Sequence, residues 1–208
     1  MDNRILFLSY LGGIGGGESF LLNFMQSLRG SRFTPMIAVA SPGVLITRCL
    51  ENQIPVFKLE YPTGKTFGGL LSRLRFIAGL VGLIRANNIS LLHINDMELG
   101  KYGAVAAKIC RVPTVWTCHG WWYSGPLREI FYRFFIDLTV AVSIPVLESL
   151  IRRHILPPDR AFVINPGVDI SKFVPLPLDK DLSQALGVTP NNVVVAIVGR
   201  FQPPESVT

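Results

Sequence analysis

Charge is scarce in this chain. Asp, Glu, Lys and Arg make up 16% of its 208 residues, against 49% apolar residues. A disordered chain needs the opposite balance, so a folded protein with a large core is implied. Cysteine is scarce too: Cys49, Cys110 and Cys118 are scattered and form no CxxC pair. That argues against a disulfide framework and a zinc site, and reduced thiols in a cytosolic protein are the simpler account. Uncharged runs such as Ile5–Gly17 and Leu138–Leu147 fall well short of the ~20 apolar residues of a membrane span. The N-terminus lacks the basic region and small-residue cleavage site of a secretory signal. Acids are missing altogether between Glu60 and Asp96. From Lys65 to Arg111 seven basic residues meet two acids, a local excess of +5 within a chain of net charge +6. Such a face suits nucleic acid, anionic lipid or a phosphorylated substrate.

What is present is an alternation of short apolar runs and longer amphipathic stretches. Strands are predicted at Ile5–Ser9, Pro35–Ala40, Val56–Leu59, Ser90–Ile94, Thr114–Cys118, Leu138–Val142 and Ala161–Ile164. Helices are predicted at Glu18–Leu28, Val44–Asn52, Phe67–Ala86, Met97–Cys110, Pro126–Phe135 and Pro145–Arg153, the last with Ser143 as its cap. Strands alternating with helices of this length give a Rossmann-like, doubly wound α/β fold, a parallel sheet with helices on both faces. Residues 1–165 form this domain. Residues 166–190, which carry Pro166, Pro175 and Pro177, read as a linker with one short helix. Residues 191–208 read as the first strand of a second domain.

Ligands of such folds bind outside the carboxyl ends of the strands, which directs attention to five loops. The first, Gly12–Glu18, reads GGIGGGE between a strand and a helix, where a helix N-terminus can face an anion or a sugar. It does not match GxGxxG, and no acid ends the second strand, so a dinucleotide site is disfavoured. Gly64–Thr66 resembles half a phosphate-binding loop but lacks the leading glycine. His119 follows the strand Thr114–Cys118 directly, where an imidazole can exchange a proton or a hydrogen bond with a ligand. Trp121, Trp122 and Tyr123 could stack on a sugar. His93 lies inside a strand and reads as buried; His154 ends a helix. No two histidines have metal-ligand spacing.

Taken in order, GGGES-x-LLN, LLHINDMELG, VPTVWTCHG, LTVAVS, VINPGVDISKFVP and VVVAIVGRF resemble the amino-terminal half of GT-B-fold glycosyltransferases of glycosyltransferase family 4. The resemblance covers nearly the whole chain. It implies a retaining transfer from a nucleotide sugar to a polysaccharide or lipid-linked acceptor, with the active site between two Rossmann-like domains. It implies no protein-bound metal and no cofactor beyond the nucleotide sugar as co-substrate, and no nucleic acid partner. Carried over by position, His119 is the catalytic histidine, and Gly15, Gly16 and Arg200 contact the donor phosphates. Asn95, Asp96, Glu98 and Trp121 lie on the acceptor side. The Lys-Gly and Glu-x7-Glu motifs of the donor-binding half are absent, so the chain reads as a partial enzyme, inactive by itself. A non-catalytic module binding a phosphorylated or lipid ligand, and a sugar-nucleotide epimerase, are the alternatives. The helix Phe67–Ala86 carries Leu70, Leu71, Leu74, Ile77, Ala78, Val81 and Ile84 at helical spacing, flanked or interrupted by Lys65, Arg73, Arg75 and Arg85. This suggests peripheral contact with an anionic membrane at its cytoplasmic face, although a helix packed on a sheet would show the same stripe.

Overall fold

The computed structural model describes residues 3–62, 67–120, 126–153, 155–176, 179–189 and 191–195, with backbone alone for 67, 68, 97 and 126–130. Seven parallel strands form one sheet: β1 (Asn3–Ser9), β2 (Phe33–Val39), β3 (Val56–Lys58), β4 (Ile89–Ile94), β5 (Thr114–Cys118), β6 (Leu138–Ala141) and β7 (Ala161–Val163). Their order across the sheet is β3-β2-β1-β4-β5-β6-β7. Winding reverses between β1 and β4, which places the topological switch point, and with it the ligand crevice, at their carboxyl ends. The connecting helices are α1 (Gly16–Ser27), α2 (Val44–Glu51), α3 (Phe67–Ala86), α4 (Met97–Cys110), α5 (Pro126–Phe135) and α6 (Ile144–Arg152).

Strand β1 shows why the sheet is covered on both sides. Leu6 and Leu8 join the core under α3 and α4, whereas Ile5 and Phe7 join a second core under α1 and α2. Residues 6–8 are fully buried, so the run is apolar throughout rather than alternating. The two loops at the top of β1 and β2 are locked together by glycine. Gly12 donates to Ser41 Oγ at 2.8 Å, and its carbonyl accepts from Leu45 N–H at 2.9 Å. A Cβ on Gly12 would lie 2.1 Å from the Ser41 carbonyl oxygen, and one on Gly43 equally close to the Gly12 oxygen.

The helix α3 departs from the apolar stripe read in the sequence. Its buried face is Phe76, Leu80 and Ile84, while Leu70, Leu71 and Leu74 are exposed. Ser143 does occupy the N-cap of α6, but its side chain makes no capping bond there. Gly64–Thr66 and His154 lie outside the described residues.

Two compact units divide the chain, Met1–Gly167 and Val168–Thr208. The first contains the whole sheet. In the second, a short helix, α7 (Lys180–Ala185), is capped by Asp179, which accepts from Leu182 N–H at 2.9 Å. Val193–Val195, expected to begin a buried strand, are exposed and form none. Among the described residues of this unit there is no strand for the segment to pair with. The rest of that expected strand lies outside the described residues.

Candidate functional site at the carboxyl ends of the strands

Three loops meet at the switch point. The first, after β1, ends in Gly15, which has extended backbone at the N-cap of α1. Glu18 reaches back and accepts from Gly15 N–H at 3.0 Å. This is the returning arm of a capping box, with glycine in the place of Ser or Thr. A Cβ on Gly16 would meet nothing within 4 Å, so the backbone there lies open to a close approach. A Cβ on Gly17 would lie 3.5 Å from the His119 ring, which ties this helix start to the loop after β5.

His119 is held on two sides. Its Nε2 lies 2.9 Å from Asn95 Oδ1, and its ring meets Phe20 edge-on at 5.2 Å. An amide oxygen only accepts, so Nε2 carries the hydrogen and Nδ1 is the acceptor of the ring. Burial pushes the His119 pKa down, against an opposing pull from Glu18. The imidazole is therefore neutral near pH 7 and presents one fixed tautomer.

Below it, His93 is 4% exposed, and its Nε2 lies 2.7 Å from Thr117 Oγ1. Its ring packs against Phe7 and Phe24, with centroids at 4.9 and 5.6 Å. Burial, with a lesser contribution from His119, lowers its pKa to about 3. It is a neutral core residue supporting the floor of the site, as its place inside a strand suggested.

The three loop residues expected on the acceptor side, Asn95, Asp96 and Glu98, are all engaged within the protein. Asn95 is 5% exposed and places its amide oxygen on His119. Asp96 caps α4 by accepting from Leu99 N–H at 3.0 Å, and its other oxygen accepts from Tyr10 N–H. Burial outweighs these bonds and raises the Asp96 pKa to about 6. Glu98 accepts from the Tyr61 hydroxyl at 3.0 Å and pairs with Lys101 at 3.5 Å. Tyr61 in turn meets Tyr10 edge-on at 5.0 Å. Burial and the Glu98 carboxylate both raise the Tyr61 pKa, so it remains a donor. Trp121 and Arg200 lie outside the described residues.

The structure thus brings together Gly15, Gly16, His119, Asn95 and Asp96. It adds Glu18, Phe20, Thr117 and Tyr61, none of which the sequence reading singled out for the site. Glu18 had a signal, since it stands three residues after an N-cap. The other three are joined to the site only by contacts between distant segments. Among the described residues, no group of three or more His, Cys, Asp or Glu gathers as a metal site. Among them, too, no helix is long and apolar enough to cross a membrane.

Comparison with known proteins bears on the fold and the family. The chain is 26% identical over 202 residues to a UDP-Gal:alpha-D-GlcNAc-diphosphoundecaprenol alpha-1,3-galactosyltransferase of Escherichia coli, covering 91% of this chain and 51% of that protein. It is 42% identical over 189 residues to a D-inositol 3-phosphate glycosyltransferase of Salinispora arenicola, covering 81% of this chain and 41% of the relative. The chain therefore spans about half the length of the curated relatives it matches. Among solved structures, Anabaena Alr3699/HepE in complex with UDP superposes with a TM-score of 0.72 at 24% identity, over 88% of this chain and 50% of that one. This likeness shows the fold. The family model described as Glycosyltransferase Family 4 matches residues 14–172, well over half of the sequence, and the chain belongs to that family.

Proposed function

We propose that this chain is the acceptor-side half of a glycosyltransferase that moves a sugar, with retention, from a nucleotide sugar to a lipid-linked glycan. The observation that carries this reading is the convergence, at the switch point of a Family 4 chain, of an open glycine backbone at Gly16 and a neutral, tautomer-fixed His119. The E. coli relative is named for a UDP-galactose donor and a diphosphoundecaprenol acceptor, which supports this donor and acceptor class. In this reading His119 hydrogen-bonds the transferring sugar as charge develops on it, while Asn95 holds the ring. Glu18 occupies the N–H of Gly15, so a donor phosphate reaching that group must displace a carboxylate. The loop is accordingly better suited to sugar hydroxyls than to the diphosphate. Arg200 remains the proposed phosphate contact and Trp121 a proposed acceptor contact. No metal or further cofactor is invoked.

The chain spans only part of its relatives, so the assay supplies the remainder. The whole chain is joined to the carboxyl-terminal half of a Family 4 relative, and transfer from a nucleotide sugar is measured. Transfer should appear in the chimera and fall by roughly 10²–10⁴ in His119→Ala. A folded chimera with no transfer, or with undiminished transfer in His119→Ala, overturns the reading.

In this reading, with a lipid-linked acceptor and a nucleotide-sugar donor, the protein works at the cytoplasmic face of a membrane. Exposed Leu70, Leu71 and Leu74 near Arg75 support peripheral contact there. Co-sedimentation should favour anionic over neutral vesicles, weaken with salt, and fall in Leu70→Gln/Leu74→Gln. Equal recovery with both vesicles rules the contact out.

A further inference from the structure

A groove of about 810 Å³ runs between the edge strand β3 and the helix α3. That volume falls within the range of small-molecule sites. One wall is the segment 56–61, from which Phe57, Leu59 and Tyr61 join the core beneath α3. The other wall is one stripe of α3, in which Ser72, Phe76, Gly79 and Leu83 recur at three- and four-residue spacing. At ~1.5 Å per helical residue this stripe is ~16 Å long.

The two ends of the groove differ. Tyr61 and Phe76 meet at 6.4 Å between centroids, which puts Tyr61 beside the amino-terminal half of this stripe. The Tyr61 hydroxyl bonds Glu98, and Lys101 Nζ lies 3.5 Å from it. Arg75 borders the same end, one residue before Phe76. This end opens beside the candidate site. The far end, at Leu80 and Leu83, is apolar.

Gly79 is the informative wall residue. Glycine is the least favourable interior helix residue after proline, and a Cβ at Gly79 would meet nothing within 4 Å. Neither crowding nor backbone conformation requires glycine there. Its effect is to keep the groove deep at mid-length. Addition of a peptide strand to β3 is disfavoured, because this edge is three residues long, carries Lys58 and stands between Pro55 and Pro62.

We propose that this groove binds the hydrocarbon chain of the lipid-linked acceptor, with the diphosphate beside Arg75 and Lys101 at the Tyr61 end and the first isoprene units lying over Gly79 toward Leu83. The inference rests on the acceptor class proposed above and adds where its lipid portion is held. Arg75 suits an anionic head at one end and Leu80 and Leu83 an apolar tail at the other, while Lys58 and Glu60 add charge to the strand wall.

Farnesyl diphosphate, a water-soluble probe with the same head and initial chain, tests this with the 208-residue chain itself and needs no donor. Calorimetry should show saturable binding, with inorganic diphosphate binding at least about tenfold more weakly, because apolar burial supplies much of the affinity. Gly79→Phe fills the groove and should weaken binding about tenfold or more. Gly82→Phe also enters open space but does not line the groove, and should bind like wild type. Methyl resonances of Leu80 and Leu83 should shift on titration while those of Leu45, on the opposite face of the sheet, stay fixed. That measurement decides the question even if Gly79→Phe does not fold. No saturable binding, equal weakening by both variants, or unmoved Leu80 and Leu83 methyls overturns the inference. In the chimera, transfer to an acceptor without a tail would leave the glycosyltransferase reading intact when the groove fails. Probe binding without any transfer would do the reverse.

Discussion

His119 Nε2 lies 2.9 Å from Asn95 Oδ1, joining the loop after β5 to the loop after β4 across the switch point. Asn95 is itself pinned, since its N–H donates to the Leu8 carbonyl at 3.0 Å. A rigid element on β4 therefore fixes which nitrogen of the ring carries hydrogen. Asn95 is a positioning residue in this arrangement, acting through the imidazole.

Replacing that amide by a carboxylate of the same shape changes the electrostatics and little else. Burial holds the His119 pKa below its ordinary value. An anion at hydrogen-bond distance favours the imidazolium. In Asn95→Asp the His119 pKa should rise by about one unit or more, read from the pH titration of its ring proton resonances. An unchanged titration would mean that the two side chains are not in contact in solution.

A second prediction concerns the locked loops. Gly12→Ala drives a Cβ to 2.1 Å from the backbone oxygen of Ser41, where no flexible side chain can give way. It should cost roughly 1–3 kcal/mol by overpacking, measured by urea unfolding. Gly13→Ala, next in the chain, meets nothing within 4 Å and should be close to neutral.

Much of this was legible in the sequence. The strand runs and the 3.6-residue periodicity locate every element of the sheet domain to within two residues or so, because a strand buried on both faces must be apolar at every position. His119 and the Gly12–Gly17 loop were legible for a different reason: the topology of a doubly wound sheet sends the loop after each strand to one side. Contacts between distant segments were not legible. Nothing in the sequence says that Asn95 holds His119, that Tyr61 reaches Glu98, or that Asp96 binds the Tyr10 amide, since each joins segments brought together only by strand order. The buried face of α3 also escaped the pattern: Phe76 and Leu80, outside the stripe read in the sequence, meet the sheet, since α3 is apolar on more than one face and periodicity alone does not say which one is covered.

A third prediction separates an ion pair from a hydrogen-bond acceptor. Asp137 accepts from Thr114 N–H and Thr114 Oγ1, both at 2.9 Å, and from Lys108 Nζ at 2.6 Å. Burial pulls its pKa upward, but Lys108 and Thr114 outweigh it and the net shift is downward. Lys108 is 43% exposed, so Lys108→Ala should cost no more than about 1 kcal/mol. Thr114 is fully buried, and Asp137→Ala leaves its N–H without that acceptor, a loss of roughly 1–3 kcal/mol. Comparable losses in the two variants, by urea unfolding, would contradict this division.

The fourth prediction sets two buried groups against each other. His93 has a folded pKa of about 3, below its ordinary 6.5. Between these values the unfolded chain binds the extra proton, so this group makes the fold less stable as pH falls from 6.5 toward 3. Asp96 has a folded pKa of about 6, above its ordinary 3.8. In that window the folded chain holds the extra proton, so this group makes the fold more stable as pH falls from 6 toward 3.8. Between pH 4 and 6 the two contributions oppose one another, each with a limiting slope of about 1.4 kcal/mol per pH unit. His93→Gln keeps a polar partner for Thr117 and removes the titration, so its stability should improve relative to wild type as pH drops through this range. Asp96→Ala should lose stability at neutral pH through its missing helix cap, by roughly 0.5–2 kcal/mol. Its deficit relative to wild type should widen on acidification, because the opposing proton uptake has gone. Urea midpoints for the three proteins at pH 4, 5, 6 and 7 give the comparison directly. Parallel pH profiles would mean that neither side chain titrates as its burial dictates.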